Sequence, residues 1–431
     1  MSVQTETAKT GCAGCRGSEQ RRLVSRRQAL LGGFGSLGAM ALSAVDTRLA
    51  FAAGAGGADT IVVLSLRGGF DGLSAVPPIG DTAYPALRPG IGIGANVALP
   101  LDSMFGLHPA LAALKPFYDN GKLAIVHATG LAEPNRSHFE ATAELERAAP
   151  GSSLRTGWLD RMLALGTPDG PFGAVQVGST SMPLSLSGPF PTLGMSSVDG
   201  FGLDGADDES RPAWATFLSA THDQADTRTK QAVAETLGAL DQTAAMRAAG
   251  YTAANGVSYP DSDLGRSLRD VARLIKADVG LRVATLDVGD WDMHVNLGQP
   301  DSGWMRDKLT DLGQSLAAFG TDLGAGLADV TLVTLSEFGR RVQENDSAGV
   351  DHGWGNAAFV LGGGVNGGQV LASWPGLGGA GLTDGDLTVT TDYRAVLADI
   401  LSHRVGAGVS AIGEVLPGWS GSSLGLTAPR T

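Results

Sequence analysis

Short apolar runs recur along this chain of 431 residues, and segments of helical character separate most of them. A β-branched run that ends in glycine or polar residues is typical of a buried strand entering a loop. Alternation of such strands with helices favours a mostly parallel sheet covered on both faces. The predicted strands are 60–66, 123–127, 172–177, 282–287, 330–335 and 357–361, and the predicted helices are 111–119, 138–147, 264–279, 305–323 and 391–403. We therefore predict one α/β domain over residues 60–431, with a helical insertion at about 185–260 that is a candidate lid.

The first 52 residues have the features of an export signal. Four arginines lie between positions 21 and 27, an apolar run covers 30–45, and Ala50-Phe51-Ala52 supplies small residues for cleavage. The segment 25–31 resembles a twin-arginine motif. We predict a twin-arginine signal peptide over 1–52 and a linker over 53–59, with the export machinery as a partner. The mature protein is then periplasmic, cell-wall or extracellular; a basic surface helix or a membrane anchor is the alternative.

Composition excludes several classes of protein. With 43% hydrophobic residues the chain is too apolar to be disordered, and its net charge of −13 argues against nucleic acid and anionic membranes as partners. Both cysteines, Cys12 and Cys15, lie in the predicted leader. The mature chain therefore has no disulfide and no thiolate ligand, and we find no transmembrane run in it.

Polar side chains with the chemistry of a metal site follow or precede several of the predicted strands. Sites in α/β sheets form at the carboxyl ends of strands, where these segments are expected to meet. Carboxylates and imidazoles together are what a divalent metal needs. Taken singly, an Asp in such a place is often a helix cap and a His is often a structural residue. The segments are Asp71, Asn135–His138, Asp290–His294, Ser336–Arg340 and Asp351–Gly355.

These segments together resemble the exported family designated domain of unknown function 1501. The resemblance is carried by five motifs and covers roughly residues 60 to 405 in the expected order. It implies an alkaline-phosphatase-like α/β fold, shared with sulfatases and metal-dependent phosphoglycerate mutases, but no settled reaction. The motifs are RGGFDGL from Arg67, NRSHF from Asn135, WDMH from Trp291, SEFGR from Ser336 and DHGWG from Asp351.

The resemblance also implies roles for individual residues. The expected ligands of a divalent ion, whether zinc, calcium, magnesium or manganese, are Asp71, Asp292, His294, Glu337, Asp351 and His352. The expected nucleophile is Ser137, at the start of a helix; His138 would position it or bind the metal, and Arg136 and Arg340 would neutralise the oxygens of an ester. For Ser137 a plain helix cap is the alternative, and for Arg340 an ion pair with Glu344.

Two departures from the superfamily pattern affect the predicted reaction. Phe338 stands where a metal-binding histidine is usual, and Ala132 stands where a sulfatase would carry its modified nucleophile. Retained carboxylates and histidines favour an exported metal-dependent hydrolase of phosphate or sulfate esters. The departures favour a catalytically degenerate relative that binds an anionic glycan, a lipid head group or a partner protein. An assembly factor for another exported protein is a third alternative.

Overall fold

A central sheet of nine strands organises the computed structural model, which describes residues 58–166, 170–203 and 209–430. The order across the sheet is β10-β4-β9-β8-β1-β7-β5-β6, and β13 also pairs with β4. The predicted leader and most of the predicted linker, residues 1–57, lie outside the described residues. The strands of this sheet are β1 Thr60–Leu66, β4 Leu123–Gly130, β5 Ala174–Val177, β6 Leu193–Met195, β7 Val283–Val288, β8 Val330–Leu335, β9 Asn356–Gly362, β10 Val370–Leu371 and β13 Thr391–Asp392. Two small hairpins consist of β2 Leu99–Pro100 with β3 Gly106–Leu107, and of β11 Leu382–Thr383 with β12 Asp386–Leu387.

Helices cover both faces of the sheet. They are α1 Gly72–Ala75, α2 Tyr84–Leu87, α3 Lys115–Asp119, α4 His138–Arg147, α5 Trp158–Leu163, α6 Arg211–His222, α7 Thr227–Ala249, α8 Asp263–Lys276, α9 Trp304–Leu323, α10 Tyr393–Ile400 and α11 Val409–Val415. Shorter 3-10 turns lie at Pro109–Leu114, Leu184–Leu186, Ala254–Gly256, Gly324–Asp329 and Gly379–Gly381, and a π turn at Leu401–Val405. Within the described ranges, no helix combines the length and apolar character needed to cross a bilayer.

Strand β1 shows why the chain adopts this layered arrangement. Side chains of a strand alternate between faces, and both faces of β1 are buried. Val62 and Leu64 belong to one hydrophobic cluster, with α8 and α9, whereas Ile61 and Val63 belong to a second, with α4, α5 and α10. A continuous apolar run is therefore what a strand needs between two helical layers. The predicted α/β class, with a mostly parallel sheet between helices, is confirmed.

Strand β9 is the exception to the parallel arrangement. It pairs antiparallel with both β4 and β8, while the other pairs of the described sheet are parallel. The beginning of β9 consequently lies at the same edge as the ends of β4, β8 and β1. This reversal explains how a motif that precedes a strand, Asp351–Gly355, meets motifs that follow strands.

The predicted elements agree with the observed ones except at some boundaries. The predicted strand 330–335 matches β8, and the predicted helix 138–147 matches α4. The predicted helix 111–119 is a 3-10 turn followed by α3, and the predicted helix 391–403 starts at Tyr393 and ends in the π turn. In both cases a change of helical type divides a segment with one continuous pattern. The predicted insertion contains α6 and α7; its role as a lid stays a prediction.

Candidate metal centre

Two glycines after β1 let the first site loop lie against its neighbours. Gly68 has φ +114°, and a Cβ atom there would lie 2.8 Å from the backbone nitrogen of Asp292. Gly69 has φ +68°, and its Cβ would lie 2.5 Å from the ring of Phe338. Only glycine combines such φ values with this closeness. The loop after β1 is thus brought against the loops after β7 and β8.

Three histidines and one aspartate converge at this edge of the sheet. The Nε2 atom of His352 lies 3.1 Å from Nε2 of His138 and 3.0 Å from Nε2 of His294. Oδ1 of Asp292 lies 3.1 Å from Nε2 of His352 and 2.9 Å from Nε2 of His294. His138 is the first residue of α4, Asp292 and His294 lie between β7 and α9, and His352 precedes β9. Ligand atoms of His138, Asp292 and His352 all lie within 4.8 Å of one another, as a metal site requires.

The second ring nitrogen of each imidazole fixes its tautomer. Every Nδ1 faces an oxygen that accepts hydrogen bonds, so each Nδ1 carries a proton. The Nδ1 atoms of His138, His294 and His352 donate to Glu337 at 2.8 Å, to Asp351 at 2.8 Å and to the carbonyl oxygen of Arg136 at 3.0 Å, respectively.

The surroundings shift the pKa values of two of the converging residues, His352 and Asp292. Burial lowers the pKa of His352 and outweighs the opposing hydrogen bond to Asp292, so the ring is neutral at pH 7. Burial of Asp292 acts to raise its pKa, but hydrogen bonds and charges, chiefly from Arg340, outweigh it and lower the pKa to about 2. A neutral imidazole and an ionised carboxylate therefore lie 3.1 Å apart at this point. A divalent ion bound to nitrogen at about 2.0–2.1 Å would hold tetrahedral donors roughly 3.3 Å apart, and His352 lies 3.1 Å from both His138 and Asp292, the three residues whose ligand atoms are mutually close.

Arg340 supports the site from behind. Its side chain is fully buried, and it donates to Oδ1 of Asp292 at 2.6 Å. The same guanidinium donates to the carbonyl oxygens of Gly69 at 2.6 Å and Val350 at 3.0 Å, and to those of Gly68 and Trp291. Its Nη1 atom also lies 3.5 Å from Nε2 of His294. A direct contact between Arg340 and a substrate would need several of these bonds to break.

Two predicted ligands lie one contact away from the convergence point. Glu337 is buried, and its Oε1 accepts from the backbone N–H of Gly68 at 2.8 Å as well as from His138. Asp351 accepts from His294 and, at 3.2 Å, from Asn345; the first of these bonds lowers the pKa of Asp351. In this structure both carboxylates orient histidines.

Asp71 and Glu344 are engaged elsewhere. Both oxygens of the buried Asp71 bind the guanidinium of Arg88, at 2.5 and 2.9 Å, and Ser74 donates to it at 2.5 Å. Burial would raise the pKa of Asp71, but Arg88 outweighs it and lowers the pKa. Glu344 accepts from the backbone N–H groups of Gly90 and Ile91, so the alternative ion pair with Arg340 is not present.

The remaining predicted residues surround the start of α4. Ser137 is the N-cap, and its Oγ accepts from the N–H of Glu140 at 3.5 Å. The guanidinium of Arg136 pairs with Asp386, while its carbonyl orients His352. Phe338 packs against the rings of His138 and His352, with centroids 4.8 and 4.7 Å away.

Three residues that contact the predicted site residues could not be identified from the sequence. Arg88, Asn345 and Asp386 lie outside the quoted motifs, yet each binds a predicted site residue. Arg88 and Asn345 lie in loops and Asp386 in a two-residue strand, where no periodic pattern marks them. Only the pairing of an otherwise unexplained buried charge with a motif residue could have identified them.

The family model described as "Protein of unknown function (DUF1501)" matches residues 126–399. The C-terminal periplasmic domain of EcEptC from Escherichia coli aligns in two crystal structures. The one in complex with Zn is 10% identical, with 71% of this chain and 73% of that chain covered and a TM-score of 0.29. The other is 8% identical, with the same coverage and a TM-score of 0.30. No curated protein matches.

Proposed function

We propose, on the premise that this chain belongs to the DUF1501 family, that the protein is an exported, metal-dependent hydrolase of phosphate or sulfate esters. The description of the family assigns no reaction to its members. The observation that supports this proposal is the convergence of three imidazole Nε2 atoms with an ionised carboxylate. Each imidazole is oriented through Nδ1, as metal-binding histidines usually are.

We propose zinc as the metal. Three imidazoles and one carboxylate are typical of transition-metal sites, whereas calcium and magnesium prefer oxygen ligands. The proposed ligands are His138, Asp292 and His352, whose ligand atoms are mutually within 4.8 Å, with His294, 3.0 Å from His352, as a candidate fourth. Manganese also binds such donors and is an outcome of the test below. Asp71, which the sequence predicts as a ligand, is not among the proposed ligands, because Arg88 and Ser74 already bind its carboxylate oxygens.

The protein's own groups hold and orient the reactants. When bound, a divalent ion supplies Lewis-acid activation of an oxygen nucleophile and of the ester. Ser137, directly before His138, is the candidate nucleophile, and the N-terminus of α4 favours the oxyanion of a bound ester. Arg340 keeps Asp292 ionised and in place. Arg136 fixes His352 through its carbonyl oxygen.

Metal analysis tests the proposal most directly. Purified mature protein is expected to contain about one zinc per chain and to hydrolyse activated aryl phosphates or sulfates. His352→Ala should lose both properties. His403→Ala removes an imidazole that contacts Thr427 and should keep both. A wild-type protein without metal, after purification from its own host, would contradict the proposal.

One observation favours the binding alternative. Arg136 is paired with Asp386 and Arg340 is buried, so neither guanidinium is free for an ester oxygen. A protein that retains the metal but hydrolyses none of the aryl esters would be a degenerate relative. Binding of an anionic glycan, a lipid head group or a partner protein would then be measured next.

Export by the twin-arginine pathway is proposed from the leader sequence alone. Replacing Arg26 and Arg27 together with lysine should leave the precursor in the cytoplasm, detected by fractionation. Replacing Arg21 and Arg22 in the same way provides a control with equal charge. Equal export of both variants would contradict this route.

A further inference from the structure

A short turn lies against the segment that carries His294. Within the turn 345–349, the backbone N–H of Asn345 donates to the carbonyl oxygen of Gly349 at 2.9 Å. A Cβ atom at Gly349 would lie only 2.2 Å from the carbonyl carbon and oxygen of His294, so the turn and this histidine are in direct contact. Three further backbone hydrogen bonds join the two segments: Asn296 donates to Ser347 at 2.9 Å, Leu297 to Ala348 at 2.8 Å and Val350 to Met293 at 3.0 Å. The position of the turn therefore determines that of the His294 backbone.

The side chain of Asn345 uses both ends of its amide. Its Oδ1 accepts from the N–H groups of Ser347 and Gly349, each at 3.0 Å, and so holds the turn together. Its Nδ2 donates to the carbonyl oxygen of His294 at 2.9 Å and to Oδ1 of Asp351 at 3.2 Å. The same oxygen of Asp351 accepts from Nδ1 of His294 at 2.8 Å. One amide thus contacts His294 directly at its backbone, and at its ring through Asp351.

The contacts of Asn345 with the centre run through His294 and Asp351. Among the hydrogen bonds of the described residues, none joins the Asn345 side chain directly to the three other proposed ligands. An amide also has no simple substitute here, because it combines two donors with an oxygen that accepts twice. An ionised aspartate would keep the acceptors and lose the donors, and alanine would lose both.

We propose that Asn345 is a positioning residue that holds the imidazole of His294 where it can serve as the fourth ligand. Without the Nδ2 donor, the carboxylate of Asp351, which is 55% exposed, loses a bond that fixes its direction. The ring of His294 then no longer keeps its Nε2 atom 3.0 Å from that of His352. This inference rests on the proposed hydrolase function and names the residue that completes its metal site.

A double-mutant cycle on zinc affinity tests this route. In the mature protein, Asn345→Ala should raise the zinc Kd about tenfold, measured by competition with a chelator. In a His294→Ala background the same change should have less than about a twofold effect, because the residue that Asn345 positions is absent. Asn366→Ala is the control: it removes an amide that donates to the carbonyl oxygen of Gly425 at 2.8 Å, and the Kd should not change. Equal effects of Asn345→Ala in the two backgrounds would overturn the proposal.

Asn345→Asp separates the folding of the turn from the positioning of His294. This variant keeps an oxygen for the N–H groups of Ser347 and Gly349 and loses both donated bonds. The zinc Kd should rise as it does in Asn345→Ala, while the melting temperature of the metal-free protein should stay close to that of the wild type. A zinc Kd equal to that of the wild type would contradict the proposal.

The imidazole nitrogens of the metal-free protein distinguish the two possible failures. With isotope-labelled histidine, NMR reports which ring nitrogen carries a proton and whether it is hydrogen-bonded, and His294→Ala identifies the signals of that ring. Asn345→Asp should shift the Nδ1 signal of His294 and leave that of His403 unchanged. If the wild type bound no zinc, the proposed function would fail, and a shifted His294 signal would still support the positioning role. An unshifted signal would overturn this inference and leave the proposed hydrolase function standing.

Discussion

The guanidinium of Arg340 joins loops that follow three different strands. It donates to backbone oxygens after β1, to Asp292 after β7 and to Val350 before β9. Lysine offers three donors on a single atom and cannot reproduce such a fork. Arg340 is therefore a positioning residue whose planar geometry holds Asp292 in place.

Replacing Arg340 should destabilise the protein and weaken metal binding together. Arg340→Lys leaves buried carbonyl oxygens and the Asp292 charge partly unsatisfied, so we expect a loss of about 3 kcal/mol in the free energy of unfolding. Urea unfolding of the metal-free proteins measures this loss. Arg341→Lys, at a partly exposed neighbour, is the control. A loss of stability below about 0.5 kcal/mol would show that the planar guanidinium of Arg340 is not needed for the stability of the fold.

His127 gives the fold a defined pH dependence. The ring is fully buried in β4; Nε2 donates to the carbonyl oxygen of Val76 at 3.0 Å, and Nδ1 accepts from the N–H of Ala128 at 2.8 Å. Both nitrogens are satisfied in the neutral form. Burial lowers the pKa of His127 to about 4, from 6.5 in the unfolded chain.

The sign of the effect follows from this difference in pKa. Between pH 6.5 and 4 the unfolded state binds a proton at His127 that the folded state does not bind. His127 therefore lowers the free energy of unfolding as the pH falls through this range. His127→Phe keeps an aromatic ring beside Phe105 and removes the titration. The variant should lose less stability than the wild type between pH 7 and pH 4.5, by urea unfolding. An identical slope would contradict this account.

At the scale of elements, the loop after β1 and the start of α4 determine the geometry of the centre. Gly68→Ala places a Cβ against the backbone of Asp292, in addition to the strain of a positive φ. Gly121→Ala, with φ +67° and nothing within 4 Å, imposes the conformational cost alone, about 1 kcal/mol. Gly68→Ala should be clearly less stable in urea unfolding and should bind zinc more weakly. Equal losses of stability in the two variants would show that the neighbouring loops move aside for the added Cβ atom at little cost.

The cap of α4 can be separated from its chemistry. Ser137→Ala removes both the cap and the hydroxyl and should lose about 1 kcal/mol, whereas Ser137→Asn restores a capping oxygen without a nucleophile. If Ser137 attacks the ester, both variants lose turnover and only the first loses stability. Retained turnover in Ser137→Asn would leave Ser137 as a cap alone.

Some elements of the fold could be predicted from the sequence, and others could not. Strands β1, β4, β5, β7, β8 and β9 could be located, because each lies within a short, mainly apolar run of the sequence. The reversal of β9 could not, since strand direction depends on partners distant in the chain. At the centre, residue types indicated the side chains that lie together in the fold, and their role as metal ligands stays a prediction. Whether a carboxylate binds a metal or a histidine depends on distances that only the folded chain provides, as Glu337 and Asp351 illustrate.

At the scale of the whole molecule, a metal that binds only the folded state should stabilise it. At a free zinc concentration 100-fold above Kd, the gain is about 2.7 kcal/mol. Chelation should therefore lower the melting temperature of the wild type by several degrees. The melting temperature of His352→Ala should not respond. An unchanged wild-type melt after verified metal loss would show that the centre contributes nothing to stability.

The position of β1 in the middle of the sheet has a consequence for biosynthesis. Its partners are β7, where Ile61 lies opposite Val283, and β8, where Thr60 lies opposite Val330. The ribosome adds roughly 5–20 residues per second, so β1 waits on the order of 10 s or more before either neighbour exists. During that interval its apolar run has no strand to pair with. Strand β1 can therefore complete its pairing on both sides only after β8 has left the exit tunnel.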